Sequence, residues 1–539
     1  MPQVFGIGMN CFSQSSSFFS RFAGVFCLII ALDHHVSAQD VTSLNVREYR
    51  VEGVKRLGRL EVEEAVYPYL GPGRTAADVE SARAALEKSY HDKGFETVSV
   101  VIPQQDPRRG VIRLEVVEGK VGRLRVNGAK WFLPSAIRRD APSVAEGEVP
   151  DMTRVKKDIL ALNRLSDRRV TPVLRAGAEP GTVDIDLNVE DKSPLHGSLE
   201  LNNRNSSNTT ALRINGAISY SNLYQLGHTL GLNFQIAPEN TDDAKVFSGY
   251  YLARVSDDVS LMLQGTKQDS NVSSLGGAAS IGRGHTAGLQ VLFDLPSAEG
   301  FYQTFSLGLD YKHFDEDIIL AKGKPIYSPI EYYPISANYG ATWLAEKVFT
   351  ELNTSLNFNP RGVGSGERDY SNKRYNADGS YVFLRSDLAR TQDLKDGSQL
   401  FGKIQSQIAS QPLINNEQTS GGGLGTARGY LEATALGDNG VFGTVEYRTP
   451  SLVAKPTAHD GVISNEWRFH SFADFGLLGI WDALPGQQKR TGLASGGVGT
   501  RFKFKDHYNG SLDVAVPFIS QTAADAGDIR VTFRGWADF

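Results

Sequence analysis

An arginine set among glycines and an aspartate set in an alternating strand are the residues of this chain best placed to do chemistry. The first lies in Thr419-Ser420-Gly421-Gly422-Gly423-Leu424-Gly425-Thr426-Ala427-Arg428-Gly429-Tyr430, the second in Phe472-Ala473-Asp474-Phe475-Gly476. A guanidinium fork matches a carboxylate in bidentate geometry, and a charge-assisted pair in a partly dry channel offsets some of the entropy lost in ordering a long loop. Glycine allows the tight backbone such a loop needs. The expected chemistry is therefore a latch, an ion pair that pins a loop inside a β-barrel, and not a reaction. Taken singly, the arginine also fits a solvated loop, and Asp474 fits an ordinary lumenal charge beside Glu466, Arg468 and His470.

The elements that must hold this pair are strands. In Thr229–Ile236, the side chains of Leu230, Leu232, Phe234 and Ile236 point one way and those of Thr229, Gly231, Asn233 and Gln235 the other; Phe305–Lys312 and Val498–Lys505 repeat the pattern. A lipid-facing band opposite a wet lumen requires this dyad alternation. Such segments begin near residues 196, 211, 226, 245, 258, 284, 303, 332, 348, 379, 398, 440, 466, 495, 509 and 528. Sixteen strands are thereby predicted, an even number that closes an antiparallel barrel over 195–539. Long connections are expected at 267–283, 315–331, 360–377, 410–439 and 477–494, and mostly short ones at the other end. The Arg428 loop, the sixth external one, spans about 410–439. The barrel carries 39 aromatic residues, whereas 39–194 carries seven.

Residues 39–194 repeat themselves. Arg50-Val51-Glu52-Gly53 recurs as Arg125-Val126-Asn127-Gly128, and Glu118 is matched to Glu190. Each copy reads strand, helix, helix, strand, strand, with helices at 76–93 and 152–165, the latter burying Ile159, Leu160 and Leu162. An unpaired outer strand is a ready template for an extended peptide. Val170–Ala176, represented by Val170, Pro172, Leu174 and Ala176, is the candidate edge.

Composition excludes several classes. The formal net charge of −5 offers no basic field for nucleic acid. An apolar run from Phe22 to Leu32 ending in Val36-Ser37-Ala38 reads as a secretory signal over 1–38, too short to span a bilayer. Both cysteines, Cys11 and Cys27, fall inside it, and Cys27 follows Val25-Phe26 where a lipoprotein signal needs small residues. The histidines lack ligand spacing, no GxxxxGK[ST] occurs, and no G-x-S-x-G elbow stands in the barrel region, so neither metal, cofactor, nucleotide nor catalytic residue is expected.

Val101-Ile102-Pro103-Gln104-Gln105 with Gly110–Gly119, and Leu162-Asn163-Arg164 with Pro180–Asp184 and Val189-Glu190-Asp191, resemble the first and second POTRA domains of two-partner secretion transporters, the TpsB family of the BamA-like superfamily. Ala427-Arg428-Gly429-Tyr430 resembles the family's V-R-G-Y/F motif, with alanine for valine, and Phe472–Gly476 its F-x-D-x-G motif. The resemblance implies a membrane β-barrel of 16 antiparallel strands preceded by two periplasmic βααββ POTRA domains, at 44–119 and 120–193. It implies a latch of Arg428, Gly429, Tyr430, Phe472, Asp474 and Gly476. It implies a non-enzymatic outer-membrane pore, monomeric in lipid, passing an unfolded TpsA exoprotein such as an adhesin or haemolysin without ATP; a BamA-like assembly factor is the alternative. Few residues separate Ala38 from Leu44, so the plug helix common in the family is expected to be absent.

Overall fold

The computed structural model describes residues 43–273, 280–315, 317–318, 326–453, 458–459, 462–463 and 465–539, so the signal and plug expectations fall outside the described residues. The chain divides into two compact units between Ser193 and Pro194.

The N-terminal unit holds both repeats. In the first, Glu48–Glu52 lies parallel to Val111–Glu118, which takes Val98–Val101 antiparallel on its other side. Helices Arg59–Val66 and Ala76–His91 cover the sheet and bury Val79, Leu86 and Tyr90 against Ile112 and Leu114. Burial pushes the half-buried Tyr49 hydroxyl up to about 12. The second repeat sets Lys120–Asn127 parallel to Thr182–Asp191, with Arg168–Ala176 antiparallel at the edge and helices Pro134–Arg139 and Met152–Leu162 above.

The recurring glycine has a steric cause. Gly53 and Gly128 both sit at φ +84, and a Cβ on either would land on a carbonyl of the central strand, that of Val116 or of Val189. The register also corrects the carboxylate correspondence. Glu52 pairs with Glu115 and Asn127 with Asn188, so the counterpart of Glu118 is Asp191 and not Glu190. Both carboxylates bind backbone N–H groups after the first strand: Glu118 takes Lys55 and Arg56 at 2.9 and 3.1 Å, and Asp191 takes Lys130, Trp131 and Phe132 at 2.7–3.1 Å. A second correction concerns the later helix. Val155 and Leu162 are its buried residues, whereas Leu160 is 49% exposed.

The second unit is a closed antiparallel barrel. Its strands are β1 Leu195–Asn202, β2 Arg213–Leu223, β3 His228–Ile236, β4 Ala244–Arg254, β5 Val259–Ser273, β6 Ser280–Asp294, β7 Phe301–Asp315, β8 Ile330–Tyr332 with Ile335–Ala345, β9 Val348–Phe358, β10 Val382–Asp393, β11 Gln399–Ala409, β12 Asn439–Arg448, β13 Asn465–Gly479, β14 Arg490–Phe504, β15 Tyr508–Pro517 and β16 Arg530–Asp538. Both pieces of β8 pair with β7, so the barrel has 16 strands as predicted. The break falls at Pro334, which has no N–H for the ladder; Tyr333 N turns aside to Asn359 Oδ1 at 3.1 Å. The ring closes where β16 pairs with β1, and Arg534 crosses the seam to grip Glu200 at 2.9 and 2.8 Å.

Strand runs into two of the expected loops, taking most of 267–283 and both ends of 477–494. β5 runs to Ser273 and β6 starts at Ser280, while β13 runs to Gly479 and β14 starts at Arg490. Polar, small residues at the end of β5 and the start of β6 hid the continuation there. The 360–377 connection folds a helix, Glu367–Lys373, whose Tyr370 packs with Tyr332, Tyr381, Phe383, Leu413 and Ile414 into a core of its own. No helix among the described residues is long and apolar enough to cross a membrane.

Candidate functional site

Alternation along β13 puts His470, Phe472 and Asp474 on one face, while Phe469, Phe475 and Leu477 are exposed on the other, the apolar face. In the ladder, Asp474 stands opposite Thr444 and Phe472 opposite Glu446 of β12. Asp513 of β15 and Arg501 of β14 complete a patch on the inner wall. Into this patch comes the loop between β11 and β12, residues 410–438, narrowed by the short ladder of Thr419–Gly421 against Ala435–Gly437.

Arg428 is at the centre. Its Nε and Nη2 donate to Asp474 Oδ2 and Oδ1, both at 2.9 Å, and its backbone N–H adds a third bond to Oδ2 at 3.1 Å. Nη1 donates to Glu446 Oε2 at 2.8 Å and lies 3.6 Å from Asp513 Oδ1. The guanidinium carbon stands 3.3 Å from the centre of the Phe472 ring. Arg428 is 4% exposed, Asp474 3% and Glu446 1%, so the expected pair exists and is dry. It is also more than a pair. Glu446 further receives Arg448 Nε at 2.7 Å and Arg501 Nη2 at 3.2 Å; Asp513 Oδ1 lies 2.6 Å from His470 Nε2; Thr444 Oγ1 donates to Asp474 at 2.9 Å. Three carboxylates and three guanidiniums share one site. Phe472 is thus a platform for the cation, and Glu446, Arg448, Arg501 and Asp513 are participants that sequence reasoning missed. Each was visible as a charge at an inward position, but only the register brings them together.

The neighbours of Arg428 hold the backbone. Tyr430 is fully buried with Ala427, Phe442, Leu478 and Leu493, and its hydroxyl reaches the Ile519 and Ala494 carbonyls at 2.7 and 3.0 Å. Gly429 passes so close to β14 and β15 that a Cβ would sit 2.8 Å from both Ser495 Cβ and Pro517 N. Gly476 similarly leaves room for the Phe442 ring, at 2.8 Å from a would-be Cβ. Gly429→Val is accordingly expected to expel the tip from its seat at a cost of about 1–3 kcal/mol in overpacking. Protease cleavage within 422–434 of the purified barrel measures this, and rapid cleavage of the variant against a resistant wild type is the expected result.

Two further anchors restrain the loop. Glu432 receives Arg204 Nε at 2.7 Å and Leu424 N at 3.2 Å, and its own N–H donates to Asn205 O at 3.0 Å, joining the tip to the β1–β2 connection. At the root, Glu417 receives Lys312 Nζ and the Tyr332 hydroxyl, both at 2.7 Å. Burial works to raise the Glu417 pKa, but the nearby Lys312 and Arg385 charges and these two hydrogen bonds hold its carboxyl below the usual range.

Arg168–Ala176 lies at a sheet edge, paired among the described residues only with Thr182–Asp191. Of the four residues named there, Val170 is buried in the core and Pro172 half-buried, while Leu174 and Ala176 are exposed. Among the described residues no cluster of three or more His, Cys, Asp or Glu could hold a metal.

Residues 44–119 match the ShlB-type POTRA domain family. The outer membrane transporter CdiB of Dickeya dadantii is 23% identical over 179 residues, covering 33% of this chain and 31% of the relative, and that of an Escherichia coli strain is 25% identical over 172 residues, covering 32% and 29%. These matches span about a third of the length of the curated relatives. Among solved structures, CdiB from Escherichia coli aligns over 95% of this chain and 93% of its own with a TM-score of 0.62 at 18% identity. BamA from Haemophilus ducreyi lacking POTRA domains 1–3 aligns over 92% and 100%, at 0.55 and 15%. At these identities the structural likeness is one of fold.

Proposed function

We propose, from the premise that this chain is a TpsB-type outer-membrane protein with its POTRA domain in the periplasm, that it is a pore passing one unfolded exoprotein from periplasm to cell surface. Residues 1–38 serve as its signal, Lys120–Asp191 is a second POTRA domain within 120–193, and 195–539 is the barrel that works as a monomer in lipid. A TpsA-type partner arrives extended, pairs with a POTRA edge, enters as the sixth loop yields, and folds outside, so that no nucleotide is needed. The observation that carries this reading is the loop tip seated on the inner wall: a pore that must stay closed until cargo arrives needs a segment able to leave, held by bonds that can be exchanged. A latch residue fits that role because its partners are lumenal side chains and not the ladder.

The BamA-like fold favours a second reading, assembly of other barrels. Depletion separates the two. Loss of one surface exoprotein with the other outer-membrane proteins at normal levels supports the pore; a general fall in outer-membrane proteins supports the assembly factor.

A further inference from the structure

A sheet edge takes up a foreign strand only where its outward N–H and C=O groups are unpaired. The two N-terminal repeats differ on this point. In the first, the outer strand Val98–Val101 is closed by its own helix: His91 Nε2 lies 3.1 Å from the Val98 carbonyl, Val100 N donates to Glu87 Oε2 at 3.0 Å, and Arg83 Nη1 donates to the Val100 carbonyl at 3.3 Å. Residues 83, 87 and 91 are four apart, so a single helix face seals the edge.

In the second repeat only the first rung is sealed. Asn163 Nδ2 donates to Val170 O at 2.9 Å, and its Oδ1 accepts from Val170 N at 2.6 Å. That contact fixes the phase of the strand. Both polar groups of Val170 face away from the Thr182–Asp191 ladder, so by antiparallel alternation those of Pro172, Leu174 and Ala176 face away too. Pro172 has no N–H to offer. The outward N–H groups of Leu174 and Ala176, with the carbonyls of 172, 174 and 176, have no partner among the described residues.

The flank of this opening has a definite chemistry. Asn163 directly follows helix Met152–Leu162, and positions 156, 160 and 163 lie on one stripe by helical spacing. That stripe brings Lys156 and the exposed Leu160 alongside the strand that carries the exposed Leu174. Between Met152 and Ala176 the sequence has seven basic residues against two acidic ones; Arg168 is buried on the Leu162 carbonyl and Arg154 and Arg175 pair with Asp151 and Asp186, and the remaining four are Lys156, Lys157, Arg164 and Arg169.

We infer that Pro172–Ala176 is the working edge of the pair, and that its occupant is an extended segment carrying acidic side chains beside apolar ones. The corresponding edge of the first repeat, Val98–Val101, is closed by construction. The assignment rests on the export reading and narrows it: the cargo segment that docks is acidic, and it pairs C-terminal to Pro172.

The test uses the full chain in detergent micelles and two fluorescein-labelled nine-residue peptides, one alternating Val with Glu and one alternating Val with Lys. Fluorescence anisotropy is expected to show the acidic peptide binding at least about tenfold more tightly, since like charges along the flank repel the other. Leu174→Pro deletes one outward N–H and leaves the ladder intact, and is expected to weaken the acidic peptide about fivefold, the worth of one hydrogen bond. Lys156→Glu, a change at an exposed helix position, is expected to weaken it by a similar factor. Equal binding of the two peptides, binding of neither, or affinities unmoved by both substitutions overturns the assignment. That failure leaves the export reading standing, because export is judged separately by exoprotein at the surface of cells carrying the same variants.

Discussion

Arg428→Glu is expected to reduce surface delivery of the exoprotein at least about a hundredfold while the barrel still folds, because removing one member of a buried charge network leaves uncompensated charge worth about 3–5 kcal/mol. The geometry makes this the most damaging single change at the site. Asp474 has no other cation within ion-pair distance among the described residues, and the substitution would set a fourth carboxylate against Asp474, Glu446 and Asp513. Arg428→Lys retains the charge but not the fork, which spends two nitrogens on Asp474 and a third on Glu446. It should deliver an intermediate amount. Exchange of the two charges, Arg428→Asp with Asp474→Arg, would restore an isolated pair. Here it should restore little, since the new aspartate at 428 still faces Glu446 and Asp513. Heat-modifiable migration on gels, unchanged in each variant, separates latch failure from failure to fold.

The second large effect is expected at the loop root. Asp438 is fully buried, and its carboxylate gathers Leu413 N at 2.8 Å, Gln418 Nε2 at 2.9 Å, Trp481 N at 2.7 Å and Arg374 Nη2 at 3.5 Å. Those donors come from the first arm of the sixth loop, from the β9–β10 connection and from the β13–β14 turn, while Asp438 itself stands on the second arm. Asp438→Ala strands the first three, Arg374 Nη2 keeping the Trp481 carbonyl at 2.8 Å, and a buried donor left without a partner costs about 1–3 kcal/mol. The expected outcome is loss of the ordered root, read as protease cleavage on both arms, near 410–420 and 435–440, in intact cells. Gly429→Val differs by exposing only the tip. Cleavage confined to 422–434 in Asp438→Ala would show that the root does not depend on this carboxylate.

How much of this was legible in the residues follows from what periodicity encodes. A period of two gives the face of a strand, and therefore Asp474 pointing inward and sixteen strands with starts within a few residues of those found. It does not give register, so Glu446, Arg448, Arg501 and Asp513 could be read as lumenal charges but not as neighbours of Arg428. The repeat was legible because Gly53 and Gly128 meet the same steric demand, yet the match of Glu118 to Glu190 slipped by one residue, since either acid at 190 or 191 satisfies the pattern and only strand pairing selects Asp191. Leu160 read as core because apolar residues cluster there, although its helix turns it outward. The capping of Val170 by Asn163, and of Val98 and Val100 by His91, Glu87 and Arg83, joins a helix to a strand edge, a relation no local pattern contains.

The central claim is that Arg428 holds the sixth loop inside the lumen and so keeps the pore closed. Single-channel conductance in planar bilayers tests it most directly, with wild type, Arg428→Ala and a deletion of 422–434 compared in the same lipid. Wild type is expected to stay mostly closed, the deletion to open a large steady conductance, and Arg428→Ala to spend much of its time at the level of the deletion. A wild-type conductance already equal to that of the deletion, or an Arg428→Ala trace indistinguishable from wild type, would contradict it.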